Sequence, residues 1–299
     1  MSAARAHRVL IFGGTGMLGH KVWQVFRNRF DAWVTIRGDV AQRNELLSGD
    51  RVIPGVTAED TVSLSRAWDT VHPTVIVNCI GIVKQLSAAS DPLASITVNS
   101  LLPHRLAAFA AKANARVIHV STDCVFSGRR GRYNEDDLPD AQDLYGRTKL
   151  LGELTGPGCL TIRTSIVGRE LSATTGLLEW FLGQRGRRVN GYTAAWFSGL
   201  TTFALANLLV DIVERHTGFE GLYHVASEPI SKYDLLCRLN QAYGAGAQIE
   251  PSDEVRINRT LDGTRFCSAT ATAPARWDDM IADLLADPTP YDDWRRKGV

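Results

Sequence analysis

The fold is decided by the stretch Arg8-Val-Leu-Ile-Phe-Gly-Gly-Thr-Gly-Met-Leu-Gly19. Its apolar first part, Arg8–Phe12, predicts a buried strand, and the apolar positions from 18 to 26 predict a helix. The glycines between them permit a tight turn that brings backbone N–H groups close to a pyrophosphate at the positive end of the helix. The stretch predicts a dinucleotide-binding turn, and a purely structural turn is the alternative. The predicted cofactor contacts are Gly13, Thr15, Gly16, Met17, Leu18 and Gly19.

Strands and helices alternate along the chain as far as Gly168. Apolar runs predict further strands at 32–36, 74–80, 115–121 and 160–167, and helical patterns lie at 101–113 and 145–154. Alternation of this kind requires crossover connections between parallel strands. The chain is therefore expected to be an α/β protein with a doubly wound parallel sheet.

Beyond Gly168 the alternation loosens. Helices are predicted at 177–182, 203–215, 231–243 and 277–285, with one short strand at 221–225. We expect residues 1–168 to form the dinucleotide-binding domain and 169–299 to form mainly a smaller C-terminal substrate-binding lobe. The two are expected to be partly interleaved, with about 200–230 returning to the first domain.

Bulk composition excludes several classes of protein. The chain has 299 residues, 44% hydrophobic and 22% charged, with a net charge of +1, which gives no electrostatic reason to bind nucleic acid. Five scattered cysteines form no CxxC pair and no metal-ligand spacing with histidine, which indicates a reducing compartment and no metal site. Apolar runs are too short to cross a bilayer, and the polar residues 1–8 do not resemble a signal peptide. We expect a cytoplasmic protein without membrane insertion.

The sequence Tyr145-Gly-Arg-Thr-Lys149 carries the candidate chemistry. On a helix, its tyrosine and lysine lie one turn apart on the same face. A neighbouring ammonium favours the phenolate, so the pair can donate a proton near pH 7, although a solvated helix face is the alternative. Thr122 closes a predicted strand at its carboxyl end, where its hydroxyl can bond a carbonyl oxygen; a local turn is the alternative there. We predict Thr122, Tyr145 and Lys149 as the catalytic residues, and Tyr145 and Lys149 also as cofactor contacts.

Four further residues are predicted to contact the cofactor. Arg37 follows the second strand, where a cation can meet a 2′-phosphate, so the chain is expected to prefer NADPH, with NADH as the alternative. Asn78 and Gly81 follow the strand at 74–80, at the sheet edge where the cofactor passes. Asn99 either steadies this site or is a plain helix N-cap.

Taken in order, these motifs resemble the extended short-chain dehydrogenase/reductase superfamily, whose fold is of the Rossmann type. The segments 120–126, 133–135 and 144–153 are similar to dTDP-4-dehydrorhamnose reductases. The resemblance implies that Tyr145 is the acid, that Lys149 binds the nicotinamide ribose and lowers the tyrosine's pKa, and that Thr122 polarises the sugar ketone. It also implies hydride transfer from NAD(P)H to C4 of a nucleotide-linked 4-keto-6-deoxyhexose.

The chain departs from these relatives at Cys124. Sugar-nucleotide dehydratases carry glutamate there, so the chain lacks the group for elimination, and rhamnose reductases usually carry tyrosine. The nucleotide (dTDP, UDP or GDP), an N-acetyl group and the C4 stereochemistry therefore stay open. Predicted substrate contacts are Asp123 and Cys124, Arg163 toward the diphosphate, and Trp196 in an aromatic loop that suits a sugar ring, with lobe packing as the alternative.

The sequence thus predicts an NAD(P)H-dependent reductase of a nucleotide-diphospho-4-keto-6-deoxysugar, acting in the synthesis of cell-surface polysaccharide precursors. Two alternatives stay open: a C4 epimerase with tightly bound NAD, and a non-catalytic, cofactor-sensing protein on the same fold. The second is less favoured because the chain keeps both Tyr145 and Lys149. A homodimer also stays open.

Overall fold

A computed structural model of the protein describes residues 7–39, 45–84, 87–172, 174–273 and 276–296. Its strands in chain order are β1 Arg8–Phe12, β2 Asp31–Thr35, β3 Val52–Ile53, β4 Val75–Asn78, β5 Arg116–Thr122, β6 Cys159–Thr164, β7 Ile166–Val167, β8 Arg188–Tyr192, β9 Ala195–Phe197, β10 Leu200–Thr201, β11 Gly221–His224, β12 Ile230–Ser231, β13 Gln248–Ser252 and β14 Ile257–Asn258.

The helices are α1 Gly19–Phe26, α2 Thr61–Val71, α3 Pro92–Ser95, α4 Leu102–Lys112, α5 Leu144–Leu151, α6 Leu177–Leu182, α7 Thr202–Arg215, α8 Lys232–Tyr243, α9 Thr264–Thr270, α10 Trp277–Ala286 and α11 Tyr291–Arg296. A π-helical segment, Ile96–Leu101, joins α3 to α4. Within the described ranges, no helix is both long enough and apolar enough to cross a membrane.

The large sheet has seven strands in the order β3-β2-β1-β4-β5-β6-β11, and every neighbouring pair is parallel. This confirms the predicted doubly wound α/β fold. β1 lies between β2 and β4, so the order of strands reverses direction there. In such sheets, ligands bind beyond the carboxyl ends of the strands at this reversal. The glycine-rich turn follows β1 at that place.

Both faces of the sheet are covered, as a parallel sheet requires. Successive residues of β1 point to opposite faces: Val9 and Ile11 belong to one apolar cluster, and Leu10 and Phe12 to the other. The first cluster includes residues of α1, α7, α8 and α10. The second includes residues of α2 and α4. The carboxyl edge of the sheet is thereby left between two helical layers.

The strand predicted at 160–167 is interrupted. β6 pairs in the large sheet, whereas β7 pairs with β10. Ser165 lies between them, and its carbonyl oxygen accepts the Leu200 N–H at 2.8 Å. That bond turns the chain away from the sheet before β7 begins.

Three small sheets lie after β6: β7 with β10, β8 with β13, and β9 between β12 and β14. β11 comes after α6 and α7 in the chain, yet it pairs with β6 and is the seventh strand of the large sheet. The boundary at residue 168 and the predicted interleaving remain predictions about domains.

The last described helix docks beside the glycine-rich turn. The Tyr291 hydroxyl is 2.9 Å from His20 Nε2, and His20 Nδ1 is 2.9 Å from the Gly16 carbonyl oxygen. Asp287 accepts hydrogen bonds from both Tyr291 and Lys21. Tyr291 of α11 and Asp287 thus fix the position of α1 through hydrogen bonds to His20 and Lys21.

Candidate active site

The glycine-rich turn has a geometry that suits a pyrophosphate. Gly13 has φ of +95°, and a Cβ on Gly19 would lie 2.0 Å from the Gly13 carbonyl oxygen, so a side chain at 19 would break the turn. In the described structure no side chain caps α1, and the N–H groups at its amino end can meet an anion. These features fit the predicted cofactor. Arg37 is exposed just beyond β2, at the same edge of the sheet.

Helix α5 places Tyr145 beside the end of β5. Asp143 caps the helix by accepting the Gly146 N–H at 2.9 Å, and it pairs with Lys84 at 2.7 Å. A Cβ on Gly146 would lie 2.3 Å from the Cys124 carbonyl oxygen. Only glycine therefore lets the helix pack this close to the turn that follows Thr122.

Thr122, Asp123, Cys124 and Tyr145 are brought together. The Thr122 hydroxyl accepts the Cys124 N–H at 3.1 Å, donates to Asp123 Oδ1 at 3.2 Å, and lies beside the Tyr145 phenol. Burial raises the pKa of Asp123, and burial with the nearby Asp123 carboxyl raises the pKa of Cys124 to about 12. The Cys124 thiol is therefore protonated at neutral pH, which suits a residue that shapes the pocket.

The expected lowering of the Tyr145 pKa by Lys149 is not found. Burial and the neighbouring Cys124 raise the pKa of Tyr145, and the nearby Thr122 hydroxyl opposes them only in part. Lys149 Nζ instead donates to the Val120 carbonyl oxygen at 2.8 Å and lies 3.5 Å from His119 Nε2. Burial lowers the pKa of Lys149 to about 8. The two side chains of the motif are thus held by different neighbours.

Asn99 joins the loop after β4 to α5 and does not cap a helix. It lies in the π-helical segment, and its side chain clasps the loop after β4: Oδ1 accepts the Ile82 N–H at 2.9 Å, and Nδ2 donates to the Ile82 carbonyl at 3.1 Å. Nδ2 also donates to Thr148 Oγ1 at 3.2 Å. The N-cap alternative was wrong, and the Asn99 amide donates to Ile82 and Thr148 within the protein. A contact between Asn99 and the cofactor stays a prediction.

Asn78 and Gly81 lie next to the lysine, as residues at a common strand edge should. A Cβ on Gly81 would lie 4.0 Å from Lys149 Nζ and 3.5 Å from Asn99 Oδ1. Asn78 is fully buried, with its amide 3.1 Å from His119 Nδ1. The space above Gly81 is therefore open to the lysine, and a direct cofactor contact by Asn78 stays a prediction.

Arg163 is not available for a diphosphate. Its guanidinium forms a two-bond ion pair with Glu153, with N–O distances of 2.8 and 2.7 Å, and the side chains are 3% and 7% exposed. The guanidinium also lies 5.2 Å from the centroid of the Phe126 ring. The prediction of a substrate contact by Arg163 was wrong, because a buried charge must be paired within the protein.

Two cations that the sequence did not reveal lie near the site. Trp196, 38% exposed, is on β9 between β12 and β14, and Lys232 and Arg259 directly follow those two strands. Lys232 Nζ lies 3.7 Å from the centroid of the Phe197 ring, and Arg259 Nε donates to the Phe126 carbonyl oxygen at 2.9 Å. Both positive charges act on Asp123. No local motif marks either residue, since only tertiary structure brings them to Thr122.

The parallel sheet with its glycine-rich turn, the threonine at the end of β5 and the Tyr-x-x-x-Lys helix define an oxidoreductase of the extended short-chain dehydrogenase/reductase superfamily. The chain belongs to the family described as the RmlD substrate binding domain, whose model matches residues 7–286. The family resemblance inferred from the sequence is confirmed.

Individual relatives include both enzymes and a subunit. The chain is 31% identical over 283 residues to methionine adenosyltransferase 2 subunit beta of Mus musculus, covering 89% of this chain and 82% of that one. It is 29% identical over 305 residues to dTDP-4-dehydrorhamnose reductase of Aggregatibacter actinomycetemcomitans, covering 93% and 98%. A solved dTDP-4-dehydrorhamnose reductase from Bacillus anthracis, in complex with NADP, has a TM-score of 0.77 at 17% identity and covers 94% and 99%.

Proposed function

We propose that the protein reduces the C4 ketone of a nucleotide-diphospho-4-keto-6-deoxysugar with NAD(P)H. The observation that carries this proposal is the placing of two hydroxyls, those of Thr122 and Tyr145, beside each other at the carboxyl edge of the sheet. A ketone oxygen placed between them would receive two hydrogen bonds. The similarity to dTDP-4-dehydrorhamnose reductases supports a nucleotide sugar as the substrate class.

Three cations of the chain suit the negative charges of the nucleotide and of the cofactor's phosphate. Lys232 and Arg259 supply positive charge near Asp123, which suits a diphosphate. Arg37 suits a 2′-phosphate, and the similar reductase of Bacillus anthracis was solved with NADP, so we propose NADPH as the preferred cofactor. The residues of the glycine-rich turn would hold its pyrophosphate.

Protonation follows from the site's own groups. The bound cofactor supplies the hydride that attacks C4. Because burial raises the Tyr145 pKa, the phenol is protonated at neutral pH and can give its proton to the developing alkoxide. Thr122 orients the same oxygen. The Asn99 side chain bonds both Ile82 and Thr148, and it thereby joins the loop after β4 to α5, on which Lys149 lies.

The test is NADPH oxidation with a panel of dTDP-, UDP- and GDP-linked 4-keto-6-deoxysugars, with and without a 2-acetamido group, and with the C4 configuration of the product read by NMR. Tyr145→Phe should lower turnover by about 10² to 10⁴ fold and leave cofactor binding unchanged. Tyr243→Phe is the matched control, because its hydroxyl bonds only the Leu284 carbonyl oxygen in the described structure. Normal turnover by Tyr145→Phe would contradict the proposed acid.

A second candidate is a subunit role without turnover, supported by the 31% identity to an adenosyltransferase beta subunit. In that case the purified protein would bind NADPH but oxidise none with any sugar of the panel. The epimerase alternative gives a third pattern, since such a protein would be purified with NAD bound and would interconvert C4 epimers without net oxidation of NADPH.

A further inference from the structure

A row of four polar groups lies beneath the candidate active site. It runs from the Ile80 N–H to the Asn78 side chain, then to the His119 imidazole and the Lys149 amine. The successive distances are 3.1, 3.1 and 3.5 Å. The three side chains are 0%, 0% and 4% exposed, so water cannot replace their partners. The hydrogen positions along this row follow from which groups can donate.

The first step fixes the orientation of Asn78. The Ile80 N–H can only donate, so the Asn78 atom 3.1 Å from it is the oxygen. The amide nitrogen is then the atom 3.1 Å from His119 Nδ1. An amide NH₂ group also only donates, so His119 Nδ1 accepts and carries no hydrogen.

The second step fixes the histidine tautomer. Burial lowers the pKa of His119 well below its usual value, so the ring is neutral and has one N–H. With Nδ1 unprotonated, that hydrogen is on Nε2, which points at Lys149 Nζ. An ammonium has no lone pair and would oppose this N–H, whereas a neutral amine accepts it.

We propose that His119 is a positioning residue: held by Asn78 as the Nε2–H tautomer, it stabilises the neutral amine of Lys149. Lys149 keeps its donated bond to the Val120 carbonyl oxygen in either charge state. Burial lowers the pKa of Lys149 to about 8, so both forms are populated near neutral pH. On the proposed function, this lets the lysine release and regain a proton within each turnover.

The surrounding charges are consistent with this assignment. Cys79, on the strand end beside Lys149, has a pKa raised to about 12 by burial, so it is a neutral thiol. Glu153, following α5, has a larger raising effect on the lysine's pKa than Cys79 has, but its charge is paired with Arg163. His104 on α4, like Lys149, lowers the pKa of His119, and its Nε2 is 2.8 Å from the Leu151 carbonyl oxygen. Asn99 is committed to Ile82 and Thr148.

The first experiment reads the tautomer directly. Long-range ¹H–¹⁵N spectra of protein labelled with ¹⁵N-histidine distinguish protonated from unprotonated ring nitrogens. His119 is one of seven histidines and is assigned by its absence in His119→Phe. We expect Nε2 protonated and Nδ1 unprotonated, without titration between pH 6 and 8. A protonated Nδ1 or an imidazolium in the wild-type protein would overturn the proposal. No substrate is present, so the result is independent of the proposed function.

The second experiment reverses the tautomer. In Asn78→Asp, a carboxylate still accepts the Ile80 N–H but can also accept from His119 Nδ1–H, which turns the Nε2 lone pair toward Lys149. The Lys149 pKa, followed by NMR of ¹³C-lysine, should rise by about one unit or more. Asn78→Asp made in a His119→Phe background measures how much the added negative charge alone changes the Lys149 pKa. An equal rise with and without His119 would overturn the proposal, and circular dichroism checks that each variant is folded.

Discussion

Arg163→Met tests how much the buried ion pair between Arg163 on β6 and Glu153 after α5 stabilises the fold. The substitution keeps much of the apolar length of the side chain and removes the charge. Glu153 would lose two hydrogen bonds, of 2.8 and 2.7 Å, and would keep the one donated by Ser121 at 2.7 Å. A carboxylate that is 7% exposed would then be buried without a counter-charge.

Breaking a buried pair on one side costs about 3–5 kcal/mol, far more than an exposed pair is worth. We therefore expect Arg163→Met to lower the free energy of unfolding by about that amount in urea titrations. The double variant Arg163→Met/Glu153→Leu should recover most of the loss, because it leaves no unpaired charge. Arg187→Met, at an exposed position, should cost less than about 0.5 kcal/mol.

Two results would refute this reasoning. One is a loss below about 1 kcal/mol for Arg163→Met, and the other is a double variant no more stable than the single one. Unchanged stability with weaker nucleotide-sugar binding would instead restore the discarded role of Arg163 as a diphosphate contact.

Three further predictions concern α5, the cofactor and pH. Gly146→Ala must push α5 away from the Cys124 carbonyl, and a displacement of about 1 Å should lower turnover about 10² fold. Gly156→Ala is the control: a Cβ there has nothing within 4 Å, so turnover in the same assay should not change. Arg37→Ser should reduce the NADPH-over-NADH preference in measured dissociation constants about tenfold, and an unchanged ratio would remove Arg37 from the site. Burial lowers the pKa of His20 and His224 to about 4, so between pH 6.5 and 4 the unfolded chain binds more protons and stability falls as pH falls. Urea midpoints across that range should therefore decline less in His224→Gln, and an equal decline would contradict this linkage.

Local patterns were enough for much of the fold. Periodicity and the glycine spacing predicted β1, α1 and the alternation that builds the large sheet. The strands β3, β13 and β14 were not predicted, because they are brief or lack an apolar run. α2 was missed although Leu64, Ala67 and Val71 recur at helical spacing. β3 has two residues, and its place is set by pairing with β2.

In the candidate site, too, residues with a local sequence motif could be predicted, and residues brought there only by tertiary structure could not. Thr122 and Tyr145 could be predicted because strand end and helix each have a local motif. Lys232 and Arg259 could not, since they reach the site only through the small sheet around β9. The direction of the Tyr145 pKa also depends on burial, which spacing does not report. The pairing of Arg163 with Glu153 could not be predicted, because it depends on the packing of β6 against the end of α5.

The pairing of β11 with β6 has a consequence for how the chain is made. While the ribosome is still adding the residues between them, β6 is the outermost strand, and its free N–H and C=O groups can pair with a neighbouring nascent chain. A fragment that stops near Gly168 would keep that sticky edge permanently. We therefore expect a fragment of residues 1–168, expressed alone, to aggregate through the unpaired edge of β6 and not to yield a folded cofactor-binding domain.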